Sequence, residues 1–180
     1  STGKNIYLRL YGTLAASRTV TMPVTAERVW IMKDDTVRGA SNYTVGVLTA
    51  SGTTQPIPPG ATVLCKSNGS ETVVTIIEKG YATITDSNTP YTTVAGAQIL
   101  ANTTSAVITV TLPAAASTGD EVTIIDARGT WGSNNLTVGR NGLKINSGTS
   151  DLTLSNNGQS ITLVYVDSTR GWAYKTNYTS

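Results

Sequence analysis

Thr109-Val110-Thr111-Leu112-Pro113 restates Thr19-Val20-Thr21-Met22-Pro23 at an offset of 90 residues, and the match continues in order downstream. Each copy is followed by an apolar run closed by an acid, Val29-Trp30-Ile31-Met32-Lys33-Asp34 and Val122-Thr123-Ile124-Ile125-Asp126. Asn42-Tyr43-Thr44-Val45-Gly46 then answers Asn135-Leu136-Thr137-Val138-Gly139. Last, Gly60-Ala61-Thr62-Val63-Leu64 with Ser67-Asn68-Gly69 answers Gly158-Gln159-Ser160-Ile161-Thr162-Leu163 with Asp167-Ser168. Landmarks that recur in one order mark an internal repeat. The runs are β-branched or alternate with period two, and Asn-Gly and Ser-Gly pairs separate them, the pattern of short strands joined by tight turns. The expected fold is therefore all-β: two tandem small β-sandwich or jelly-roll-like modules related by the repeat. The N-terminal module is placed at 1–84, a linker at 85–91 and the C-terminal module at 92–180.

Further strands are expected at Ile6–Tyr11, Thr72–Ile77, Leu143–Ile145, Leu152–Leu154 and Ile161–Val166. Helical pattern is nearly absent; Ala114-Ala115-Ala116-Ser117 is long enough for one turn and no more.

Composition narrows the function. Only 13% of the 180 residues are charged and 39% are hydrophobic, so the chain can bury a core rather than stay swollen by charge. The net charge is +2, and Lys4, Arg9, Arg18, Arg28, Lys33, Arg38, Lys66 and Lys79 are scattered singly. Without a basic run to displace phosphate counterions, nucleic-acid binding is not expected. No window is apolar for the length a helical membrane span requires, so membrane insertion is not expected either. The one cysteine rules out an intrachain disulfide and a cysteine-based metal site. Cys65 lies in the run Ala61-Thr62-Val63-Leu64-Cys65, where a thiol behaves as a small buried hydrophobe.

The chain has no histidine, which removes Ser-His-Asp and Cys-His nucleophile arrangements and imidazole zinc sites. A glycosidase using carboxylates alone remains chemically open, with Asp34, Asp35, Asp120, Glu121, Asp126, Asp151 and Asp167 as its acids. Most of these stand beside turn residues, where Asp ordinarily accepts hydrogen bonds from the backbone just ahead of it. Asp126, Asp167 and Asn135 could share an oxygen-rich site, but no calcium-loop spacing is present. The expectation is a non-enzyme with no catalytic residue, no metal and no cofactor. For surface binding, flat aromatic side chains are the candidates. Trp131, in the loop Gly129-Thr130-Trp131-Gly132-Ser133, leads, with Tyr43 and Tyr91 beside it.

The second unit reads Val107 to Pro113, Ala114-Ala115-Ala116, Ile124-Ile125-Asp126, Asn135-Leu136-Thr137-Val138 and Gly171-Trp172. This order resembles the small β-modules of bacteriophage tail-fibre, tail-spike and head-appendage proteins. There a strand ending in Leu-Pro-Ala leads to an Ile-x-Asp strand, then Asn-x-Thr-Val, and closes near Gly-x-Trp. The resemblance covers most of residues 92–175 and, through the repeat, residues 13–70 more loosely; the first unit lacks the closing Trp. It implies a non-enzymatic virion structural protein (tail fibre, head fibre or capsid decoration) that serves assembly, stabilisation or surface attachment. It further implies a homotrimer, other virion proteins as partners, and a place on the virion after assembly in the host cytoplasm. The alternatives are a receptor- or glycan-binding tip that meets a host surface glycan and, more remotely, a carboxylate-based polysaccharide hydrolase.

Overall fold

The structure, a computed structural model, describes residues 6–22, 28–37, 43–49, 52–67 and 71–178. Three repeat landmarks, Pro23, Asn42 and the Asn68-Gly69 pair, lie outside the described residues. The chain divides into two compact units, Ser1–Gly80 and Tyr81–Ser180. The segment 85–91, expected as a linker, is a 3-10 turn (Asp86–Asn88) followed by the start of a short strand, all within the second unit.

The first unit contains β1 (Ile6–Thr13), β2 (Arg18–Met22), β3 (Arg28–Val37), β4 (Val45–Thr49), β5 (Gln55–Ile57), β6 (Thr62–Ser67) and β7 (Thr72–Glu78). They form two sheets, ordered β1-β3-β6-β7 and β2-β4-β5. β1 pairs with β3, and β2 with β4, in parallel. The chain thus crosses to the opposite sheet after each early strand and returns one strand along, winding a coil. From β5 onward it reverses and pairs antiparallel. Trp30, Met32, Val63 and Cys65 of the larger sheet meet Met22, Val45, Val47 and Ile57 of the smaller in one core.

The second unit contains β8 (Tyr81–Ile84), β9 (Tyr91–Thr92), β10 (Gln98–Ala101), β11 (Ile108–Thr111), β12 (Glu121–Asp126), β13 (Leu136–Gly139), β14 (Leu152–Leu154), β15 (Ser160–Asp167) and β16 (Gly171–Tyr178). Its sheets run β16-β15-β12-β10-β8 and β14-β13-β11-β9. Three successive coils, β8–β9, β10–β11 and β12–β13, stack in parallel before the antiparallel return. Strand for strand, β10–β16 repeats β1–β7; the coil β8–β9 is an addition in front.

The chain is all-β, as expected, but the architecture is a β-solenoid rather than a pair of sandwich or jelly-roll modules. The physical reason is plain. Alternation places every second residue inward in both architectures, and it carries no record of whether the next strand pairs in the same sheet or crosses over. Only the parallel ladders distinguish them.

The repeat itself needs one refinement. Sequence matching sets Val45 against Val138, yet the ladders pair Val20 with Val47 and Val110 with Val138. The structural counterpart of Val138 is therefore Val47, two residues on. A shift of two leaves every side chain on its original face, so the two cores stay equivalent. Leu143–Ile145, expected as a strand, is a loop in which Ile145 alone forms isolated bridges, to Gly148 and Trp172. Asn141, Asn146 and Ser147 around it adopt left-handed backbone, with φ of 51°, 48° and 68°, which a strand cannot accommodate.

Gly80 joins β7 to the end of the first unit where a β-carbon would lie 1.9 Å from the Gly60 carbonyl carbon. The neighbour is backbone and has no rotamer to change. Gly80→Ala is expected to destabilise the first unit by about 1–3 kcal/mol or more, the range for overpacking. Gly119→Ala, whose β-carbon meets nothing within 4 Å, reports the backbone cost of a positive φ alone. Urea denaturation of both variants checks the difference.

Candidate interaction surface

The carboxylates are engaged locally. Asp34, fully buried within β3, accepts from Thr36 N and Oγ1 at 3.1 and 2.6 Å. Asp35 pairs with Arg9 at 2.5 Å and lies 3.8 Å from Lys33. Asp120 accepts from Ser117 N at 2.8 Å, Asp151 from Arg140 N at 2.9 Å, and Asp167 from Thr169 and Arg170 N at 2.8 and 2.7 Å. Glu121 pairs with Lys175 across the outer face of the sheet. Asp126 and Asp167 stand near opposite ends of β15, since Asp126 N bonds Gln159 O while Asp167 closes the strand. Among the described residues no group of three or more potential acidic or cysteine metal ligands comes together.

Asp126 is the most heavily used. Its Oδ1 accepts from Arg128 and Gly129 N at 3.2 and 2.9 Å, and its Oδ2 from Trp131 and Gly158 N at 3.2 and 3.0 Å. Burial alone would raise its pKa. The backbone donors of Gly158, Arg128 and Trp131 outweigh it and hold the carboxyl below its ordinary value. This one side chain ties the loop after β12 to the turn before β15. Asp34 occupies the matching place in the first unit, but it accepts from Thr36, two residues on in the same strand.

That staple corrects the reading of Trp131. Its backbone N–H is bound to Asp126, and its ring is fully buried in the core of the second unit. It is not a surface anchor. Glycines flank it because the loop folds tightly, with Gly129 at φ 66°, and not because the ring is displayed. Tyr91 is likewise buried, on β9, and Tyr43 is half-buried ahead of β4. Trp131 and Tyr91 therefore present no free aromatic face of the kind expected. Trp172, the closing tryptophan, is fully buried and meets Tyr165 edge-on at 5.6 Å.

The surface that does stand out belongs to the first unit, on the outer side of the sheet β1-β3-β6-β7. Tyr7, Ile31, Leu64 and Thr75 form one continuous row across four paired strands. Val29, Lys66 and Val73 form the next. Tyr7, Val29 and Val73 are 57%, 43% and 55% exposed, while Ile31 and Leu64 between them are half-buried. Toward the C-terminal end of β1 the face turns polar, with Arg9, Lys33, Asp35 and Glu78; Glu78 accepts from Thr62 Oγ1 at 2.8 Å. In the second unit the same row reads Gln98, Thr123, Thr162 and Thr176, and its middle is a hydroxyl pair, Thr123 Oγ1 to Thr162 Oγ1 at 3.0 Å. One position in the repeat thus carries Ile–Leu in the first unit and Thr–Thr in the second. A hydroxyl ladder satisfies itself in water; an Ile–Leu row gains by leaving it.

Sequence reasoning passed over this row, although a signal was present. Val29-Trp30-Ile31-Met32 is apolar at both parities, the mark of a strand with something to bury on each side.

No family model and no curated protein matches the chain. A solved structure described as "Structure of a chaperone-substrate complex" aligns with a TM-score of 0.43 at 16% identity, covering 94% of this chain and 28% of that one. Similarity at that level assigns neither fold nor function.

Two outcomes follow from the buried groups. Because the folded pKa of Asp126 is depressed, its stabilisation is fully present above the unfolded value of ~3.9 and is lost as pH falls from there through the folded value. Asp126→Asn is expected to cost about 1–3 kcal/mol at pH 7, with the gap to the parent narrowing by pH 3, as read by urea unfolding of tryptophan fluorescence. Burial pushes the Cys65 thiol up to about 11, so at pH 8 iodoacetamide should label it only after unfolding.

Proposed function

We propose that this chain is a non-catalytic structural segment of a bacteriophage appendage (tail fibre, head fibre or capsid decoration) that assembles through the outer face of its first unit into a homotrimer. The resemblance to phage appendage modules supports the particle assignment. The Tyr7–Ile31–Leu64 row supports the assembly, and it is the observation that carries the reading. A solvent-facing sheet ordinarily alternates apolar-in with polar-out, and this one departs from that rule where its repeat partner keeps it. An apolar row rimmed by Arg9, Lys33, Asp35 and Glu78 has the anatomy of an interface with a dry centre and a charged edge. The acids that a polysaccharide hydrolase would need serve as turn staples and ion pairs.

A second reading, a glycan-binding tip, draws on Tyr7 and Tyr11, 57% and 80% exposed on the same side of β1 as Arg9. Tyrosine faces beside a guanidinium suit sugar rings and their hydroxyls.

Light scattering of the purified chain over a dilution series tests the first reading. A trimer is expected that Ile31→Glu combined with Val73→Glu converts to a folded monomer with unchanged circular dichroism. A parent chain that is monomeric throughout, or a trimer indifferent to both substitutions, overturns it. Binding of host polysaccharide that Tyr11→Ala abolishes would favour the tip.

A further inference from the structure

Two Asn-Gly pairs stand in the second unit, Asn141-Gly142 in the loop after β13 and Asn157-Gly158 in the turn before β15. All four residues are exposed, and both glycines have positive φ, 85° and 71°. By sequence and exposure the pairs are alike; they differ in what holds the glycine N–H. Gly158 N donates to Asp126 Oδ2 at 3.0 Å, and Asn157 Oδ1 accepts from Gly132 N at 2.7 Å. Among the described residues nothing accepts from Gly142 N, and no donor reaches Asn141 Oδ1. Asn141 is tied through Nδ2, which donates to Leu112 O at 2.9 Å.

An Asn-Gly pair carries its own electrophile and nucleophile. The glycine N, once it loses its proton, attacks the asparagine Cγ, and no β-carbon on glycine blocks the approach. A C–N bond closes a succinimide ring, the Cγ–Nδ2 bond breaks, and the side-chain nitrogen leaves as ammonia with the proton that the glycine N gave up. Water then opens the ring at either carbonyl, leaving aspartate or isoaspartate. Water is the one co-reactant, and nothing is oxidised or reduced. A carboxylate 3.0 Å from Gly158 N opposes negative charge on that nitrogen and keeps its proton in place. The turn around Gly142 is different. Arg140 Nη1 donates to Leu143 O there at 3.2 Å, and Asp151 accepts from Arg140 N at 2.9 Å rather than from Gly142.

We infer that Asn141 is a site of spontaneous deamidation in the folded chain, and that Asp126 protects Asn157 from the same reaction. At position 141 the product has no Nδ2–H to give Leu112 O and sets a carboxylate against that carbonyl. Isoaspartate also lengthens the backbone of the turn that Leu143 N closes on Arg140 O at 3.1 Å. The formal net charge falls from +2 to +1. Conversion thus loosens the loop between β13 and β14. The inference rests on hydrogen bonds within the second unit, so it stands or falls apart from the trimer reading.

The test incubates the full-length chain at pH 8, digests samples at intervals and follows the amide-to-acid mass change at each asparagine. Asn68-Gly69, outside the described residues, is read separately in the same digests. In the folded chain, conversion at 141 is expected to outrun that at 157 by about tenfold or more, the effect of one unit in the acidity of the glycine N–H. In urea the two pairs should convert at comparable rates, because the Asp126 contact is gone. Asp126→Asn removes the charge and should raise conversion at 157 by about tenfold while leaving 141 unchanged. Tryptophan fluorescence of the same sample checks that this variant is folded; if it is not, the folded-against-urea comparison of the parent decides alone. Equal rates in the folded chain, a faster 157, or a 141 that reacts only in urea overturns the inference. So does a folded Asp126→Asn chain in which 157 stays as slow as in the parent.

Discussion

A coil of two short strands cannot bury its own inward side chains; it needs the facing sheet on one side and another coil along the stack. Everything else in this chain follows from that constraint. The parallel ladders β1 to β3 and β10 to β12 hold the coils in register. The antiparallel return of β5–β7 and β14–β16 then ends each stack with hairpins, whose local pairing needs no further coil.

Between coils the chain must turn sharply, and after β12 the buried acid Asp126 meets that need by accepting backbone N–H groups of the loop. Asp126 reaches two turns at once and so couples the end of one coil to the start of the return. Trp131 fills the space beneath the loop so held. Both oxygens of Asp126 face backbone donors.

The repeat makes the two units controls for each other. Where their chemistry agrees, as at Asp34 and Asp126 or Met32 and Ile124, the position serves the fold. Where it differs, as in the row Ile31–Leu64 against Thr123–Thr162, folding does not explain the difference, because both rows sit on equivalent strands of equivalent sheets. The outer row of the first unit is thus apolar where its counterpart in the second unit carries paired hydroxyls.

Strand content, the order of the repeat, the buried thiol and the lack of imidazole chemistry were all legible in the amino-acid sequence, since each depends on local pattern or on a residue type being present. Alternation in Val122–Asp126 and Ile161–Val166 specified which side chains turn inward, and they do. The pairing partner of each strand was not legible. Whether the chain crosses to the other sheet depends on the loops between strands and on long-range backbone hydrogen bonds, and no local periodicity encodes either. For the same reason Trp131 read as a displayed ring: flanking glycines describe the loop, while its burial is decided by Asp126, five residues earlier, drawing that loop over the core. The strand β9 is two residues long and escaped notice because its place is set by β11 alone. Sequence determined which faces are apolar; tertiary structure decided what each face meets, because only stacking brings residues of successive coils side by side.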